Sequence, residues 1–389
     1  MIQPKNTFLL LISYLLFPIF SIELFSQFQY KVGFFKLTNI SKPTIQQKAG
    51  LHRPFIERVD SYKTLYGDYK INKNIKFRTD KFGTIIPSSI PEDNNIEKSI
   101  LFCGGSSIES SAVMEGNRVT DRFSYYSSIP AINASRSGKG LSGCIKTIDY
   151  LLSEVGKPKE IVISTNVNTL MDFGVMINEQ NIKNLQKVYK FSIKSLIKNL
   201  IKNITPGIYR LRSEIKSNYF QEKEIRELPN YEKNLFFGCC HGAGAFNKEK
   251  NYSFDWLSKN NQERYANYIE NLILDLKNKL KEKYYFSKVT IFIEPNSYLN
   301  KTTASLRDYR QFLYDFNGRK LDGINSANYT LIYDKIYKNT FKNHNFRVIE
   351  IPLSLLRSKY FYDAVHLTPS GADMIGKFFA DNIIMNNKN

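Results

Sequence analysis

Five short apolar runs separated by helical patterns dominate the chain after Lys98, and they constrain its fold more than any other feature. They are Ser99–Cys103 (SILFC), Ala131–Asn133 (AIN), Glu160–Thr165 (EIVIST), Lys288–Pro295 (KVTIFIEP) and Phe346–Ile351 (FRVIEI). All are too short for a typical helix, and most are rich in β-branched or aromatic residues, the pattern of strands buried on both faces. Between and after them, apolar residues recur at helical spacing over Arg118–Ser127, Gly140–Gly156, Glu263–Tyr284, Tyr329–Phe341 and Thr368–Ile384. Strands alternating with helices predict an α/β fold, a three-layer sandwich with a central parallel sheet. In such sheets functional residues gather on loops at the carboxyl ends of the strands.

At 389 residues the chain can bury a sizeable core. A formal charge of +19 raises nucleic acid or an anionic surface as partners. However, the lysines are spread among Asn, Ile, Tyr and Phe, and no nucleic-acid-binding signature accompanies them. No nucleic-acid partner is expected. The cysteines, Cys103, Cys144, Cys239 and Cys240, form no CxxC pair that would suggest zinc. Cys103 and Cys144 sit among small or apolar residues and read as packed thiols.

Residues 1–29 hold the apolar stretch Thr7–Phe25 (TFLLLISYLLFPIFSIELF), close to the roughly 20 residues that span a bilayer. No short apolar core with a small-x-small cleavage site is evident, so an uncleaved membrane anchor is expected. Lys31, Lys36 and Lys42 after it, against Lys5 before it, would favour a cytoplasmic body. Large domains translocate largely regardless of such charges, and an extracytoplasmic body is the expectation. Residues 30–98 read as a juxtamembrane segment leading to a small hairpin, with Gly83 near a turn. The remainder, 99–389, forms the α/β domain, interrupted by a helical insertion at about 170–261. Within the insertion Lys183, Lys187, Lys190, Lys194, Lys198 and Lys202 recur at helical spacing, opposite a face marked by Ile182, Leu185, Tyr189, Ile193, Leu196 and Leu200. They read as a solvated face, with a membrane-surface helix as the alternative.

The first strand runs into Gly104, Gly105, Ser106 and Ser107. A P-loop would need GxxxxGK[ST] and a dinucleotide fingerprint GxGxxG, and neither is present. A serine nucleophile would need a base, a carboxylate to orient that base, and oxyanion donors. Of the four histidines, His52 and His344 show no useful carboxylate pattern. His241, in GCCHGAGAF, lacks the downstream GxSxG of α/β-hydrolases. His366 lies three residues after Asp363 and just before a helix that Thr368 or Ser370 could cap. Gly138 follows the second strand, and Asn166 and Asn168 follow the third.

This ordered set resembles the SGNH/GDSL hydrolase superfamily. FCGGSSIE is similar to its first block in the GGSTTE variant, NASRSG to the second, NVNT to the third (GxND) and DAVHLTPSG to the last. The resemblance implies a flavodoxin-like sandwich with a catalytic triad of Ser106, His366 and Asp363. It implies an oxyanion hole from the N–H groups of Ser106 and Gly138 and the Asn168 amide, and a local hydrogen-bonding role for Glu109. Asn166 and Thr169 depart from the glycine and aspartate of the third block, which leaves Asn166 as a substitute for Asn168. The implied activity is ester hydrolysis, without metal or cofactor, on a small molecule or an envelope glycan or lipid. Acyl transfer through the same triad and a non-catalytic scaffold are the alternatives.

Overall fold

The computed structural model describes residues 21, 43–66, 69–94, 96–170, 172–173, 176, 258–282, 288–295, 323–361 and 366–385. The chain divides into two compact units. One is Met1–Lys42, Lys183–Lys233 and Gly242–Gly244, which apart from Ser21 lies outside the described residues. The other is Pro43–Ile182, Asn234–His241 and Ala245–Asn389, and it carries every element below. The expected membrane segment (save Ser21), the lysine-faced helix and His241 all fall outside the described residues. Among the described residues no helix is long and apolar enough to cross a membrane.

Strands β1 (Glu57–Tyr66) and β2 (Tyr69–Arg78) form an antiparallel hairpin. Strands β3 (Ile100–Gly104), β4 (Ala131–Asn133), β5 (Glu160–Ser164), β6 (Val289–Ile293) and β7 (Arg347–Glu350) form a parallel sheet in the order β4-β3-β5-β6-β7. Numbered within the sheet this is 2-1-3-4-5, a doubly wound order whose direction reverses between β3 and β5. Helices among the described residues include α1 (Ile45–Lys48), α2 (Ser106–Glu109), α3 (Val119–Ser127), α4 (Leu141–Glu154), α5 (Lys259–Glu282), α6 (Gly323–Asn343) and α7 (Pro369–Met385). The expected hairpin is present, and Gly83 lies in a turn just after it, its N–H donating to Asp80 O.

Side chains on a strand alternate between faces, so a two-sided sheet needs apolar residues at every position. Leu101, Cys103, Ile161, Ile163, Val289, Ile291 and Ile293 enter one core with α4, α5 and α6. Ile100, Phe102, Val162 and Phe292 enter the other with α3 and α7. Two helical layers therefore sandwich the sheet. Leu51, Ile90 and Ile96, from the segment before β3, join the first core.

In the second core Phe379 of α7 packs its ring against Phe102 and Phe292, with centroids 5.3 and 4.6 Å apart. Phe379→Ala is expected to destabilise the protein by about 3–5 kcal/mol, read as an earlier denaturant midpoint in equilibrium unfolding. A shift below about 1 kcal/mol would show that this core collapses around the void.

Cys103 of β3 and Cys144 of α4 are joined as a disulfide, with Cα atoms 5.8 Å apart. This corrects the expectation of packed thiols. Cys103 points to the sheet face on which α4 lies, and Cys144 sits on the apolar side of that helix, so the topology brings them together.

Candidate active site

The chain leaves β3 through Gly104 and Gly105, and Ser106 opens the short helix α2. A Cβ on Gly104 would lie 2.7 Å from Ser164 O, and one on Gly105 only 1.8 Å from Asn168 Nδ2. Neighbouring strand ends crowd the turn too closely for any side chain there. The Gly105 N–H donates to Ser164 O (3.1 Å), and Gly104 O accepts from the Arg136 N–H (3.0 Å). β5 and the loop after β4 thus pin the turn from opposite sides, at the point where the strand order reverses.

His366 Nε2 lies 2.9 Å from Ser106 Oγ. The loop that carries His366 is held by a bridge between Phe361 and Leu367 and by the Thr368 N–H on Tyr360 O. The Thr368 hydroxyl donates to Lys359 O and accepts from the Gly371 N–H, capping α7. Of the two expected caps, Thr368 serves. Asp363 lies outside the described residues, so of the expected triad the structure brings together Ser106 and His366.

The two asparagines after β5 have separate roles. The Asn166 amide donates to Asp334 Oδ1 on α6 (2.8 Å), and its carbonyl accepts from the Glu294 N–H (2.8 Å). Both its ends are therefore engaged. Asn168 lays its amide nitrogen against Gly105, with no hydrogen bond of its own among the described residues. Thr169, which departs from the third-block aspartate, donates to Thr165 O and accepts from the Leu141 N–H at the start of α4. It ties the Asn168 turn to the helix that follows the Gly138 loop.

Gly138 has φ +74°, in the left-handed region, and its N–H has no partner among the described residues. Three side chains fix this loop. Asn133 donates to Ile108 O of α2 and accepts from the Ser135 N–H. Glu109 accepts from both the backbone N–H and the hydroxyl of Ser137. Lys139, buried, donates to Ala134 O and to the Thr147 hydroxyl, and burial pushes its ammonium down to about 7.

Two features were not legible from sequence motifs. His52 Nε2 lies 3.0 Å from Glu109 Oε1, an ion-pair approach that is oblique for an aligned hydrogen bond. Burial alone would raise the Glu109 carboxyl, but His52 and Ser137 outweigh it and hold it below the usual range. No motif pairs His52 with a carboxylate, because its partner Glu109 sits on α2, far along the chain. The second is Glu294, just past β6, whose carboxyl accepts from the Ser164 hydroxyl at 3.2 Å. Burial pushes Glu294 up to about 8 and Asp334 up to about 7. A charged residue ending the apolar run VTIFIEP was the available signal. Among the described residues no group of three or more His, Cys, Asp or Glu side chains is placed to hold a metal ion.

The sequence matches no protein-family model and no curated protein. Among solved structures it is similar to a member of the lipolytic protein G-D-S-L family from Veillonella parvula, at 12% identity and a TM-score of 0.37, over 74% of this chain and 98% of that one. It is also similar to a carbohydrate acetylesterase from Sinorhizobium meliloti, at 11% identity and a TM-score of 0.37, over 74% and 99%. Likenesses this loose carry no chemistry from those proteins to this one.

Proposed function

We propose that the chain is a serine esterase or acylhydrolase of the SGNH/GDSL superfamily. The observation that carries this reading is the 2.9 Å contact between His366 Nε2 and Ser106 Oγ at the switch point of the sheet. In this reading His366 takes the Ser106 proton as the hydroxyl attacks an ester carbonyl, and Asp363 holds the imidazole in the productive tautomer. The N–H groups of Ser106 and Gly138 and the Asn168 amide receive the negative charge of the tetrahedral intermediate. His366 then passes its proton to the leaving alcohol, and water releases the acyl group by the same steps in reverse. Fluorophosphonate labelling tests the nucleophile. Wild-type protein is expected to label at Ser106 and Ser106→Ala not to label; equal labelling of both overturns the assignment.

The substrate proposed is an O-acyl ester of an envelope glycan or lipid. The apolar stretch Thr7–Phe25, expected to anchor the chain in a membrane, supports that substrate class. The proposed location is extracytoplasmic, anchored through Thr7–Phe25. The Cys103–Cys144 disulfide supports it, because such bonds persist in oxidising compartments. Protease added outside the anchoring membrane is expected to digest the body. Protection until that membrane is lysed would overturn the location.

A further inference from the structure

Glu294 has no assigned role in the chemistry above, yet it lies against the Gly105 turn and the end of β5. Its carboxyl accepts from Ser164 at the end of β5. Its Oε1 lies 3.6 Å from where a Cβ on Gly105 would sit, the point that the Asn168 amide approaches from another side. Its backbone N–H is held by Asn166, which is anchored in turn to Asp334 of α6. The side chain is almost fully buried, at 2% exposure.

We propose that Glu294 is a positioning residue of the active site, its carboxyl seated beneath the Gly105–Ser106 turn and bonded to β5 so that Ser106 and Asn168 keep their mutual aim. The inference rests on the esterase reading and deepens it.

The groups facing this carboxyl come from four directions. They are Ser164 from β5, Gly105 from the nucleophile turn, Asp334 and Tyr337 from α6, and His366 from the last loop. Burial, reinforced by the Asp334 charge, keeps Glu294 protonated at neutral pH, while Ser164 and His366 pull the other way. As pH rises through about 8 the group ionises. A carboxylate then sits beside the place where the oxyanion must form, and the anionic intermediate is disfavoured. The sign is therefore a loss of kcat/KM on the alkaline side.

The test uses the full chain with p-nitrophenyl acetate, comparing wild type, Glu294→Gln, Glu294→Ala and Ser106→Ala. Glutamine keeps an acceptor for Ser164 and nearly the same shape but cannot titrate. It is expected to retain kcat within about threefold at neutral pH and to lose the alkaline limb. Glu294→Ala is expected to lower kcat about 10- to 100-fold with KM little changed. A Glu294→Gln profile with the wild-type alkaline limb, or a Glu294→Ala kcat equal to wild type, overturns the inference while Ser106→Ala remains inactive. Hydrolysis by Ser106→Ala at the wild-type rate overturns the esterase reading, and the inference with it.

Discussion

Ser106→Ala is expected to lower kcat for ester hydrolysis on the order of 10⁴- to 10⁶-fold, and His366→Ala nearly as much. The reason is the shared proton. The Ser106 hydroxyl is a weak nucleophile until a base at hydrogen-bond distance removes its proton, and His366 Nε2, 2.9 Å away, is placed to do so. Because the two act as one unit, the double variant should be little worse than either single one. Both side chains are only half-buried, so melting temperatures should stay close to wild type. Steady-state kinetics with p-nitrophenyl acetate check this. Losses that multiply in the double variant would show that the pair does not work as a unit.

Asn168→Ala is expected to reduce kcat by about 10²- to 10³-fold with little change in KM, the mark of an interaction made only in the transition state. Its amide lies against the Gly105 backbone and has no hydrogen bond of its own among the described residues. Asn166→Ala should fail differently. It orphans Asp334 and the Glu294 N–H, so the loss falls on stability, on the order of 1–3 kcal/mol for buried groups left unpaired. Kinetics and thermal melts on the two variants separate the roles. If Asn166→Ala lost the larger share of kcat at unchanged stability, the oxyanion donor would have to be reassigned.

The inner sheet strands were legible because strands covered on both faces are largely apolar, whereas the edge strand β7, only partly covered, carries Arg347 and Glu350. Their ends moved by only a residue or so, as with Ile100–Gly104 against the expected Ser99–Cys103. The long helices overlap the expected ones but begin earlier, Lys259–Glu282 against Glu263–Tyr284 and Gly323–Asn343 against Tyr329–Phe341, because their first turns lack the apolar spacing. That Ser106, Gly138 and Asn168 follow β3, β4 and β5 was legible because each comes just after an apolar run, and the carboxyl edge of a parallel sheet gathers such residues. What could not be read depends on partners that only topology brings together. Nothing local distinguishes Asn166 from Asn168; the distinction comes from Asp334 and Glu294, on α6 and beside β6. His52 meets Glu109, and Cys103 meets Cys144, for the same reason. The strand order, together with the helices and loops packed against the sheet, places them side by side, and no periodicity records it.

The Cys103–Cys144 bond closes a covalent ring over a sequence separation of 41, and that ring contains Ser106, Glu109, Asn133, Ser137 and Gly138. Ser106 and Gly138 are therefore parts of one macrocycle. Closing a loop of this length removes on the order of 4 kcal/mol of chain entropy from the unfolded state in the loop-closure model. When the sheet opens, the ring limits how far Ser106 and Gly138 can separate. A single cut of the backbone between the two cysteines would likewise open the ring without setting either segment free.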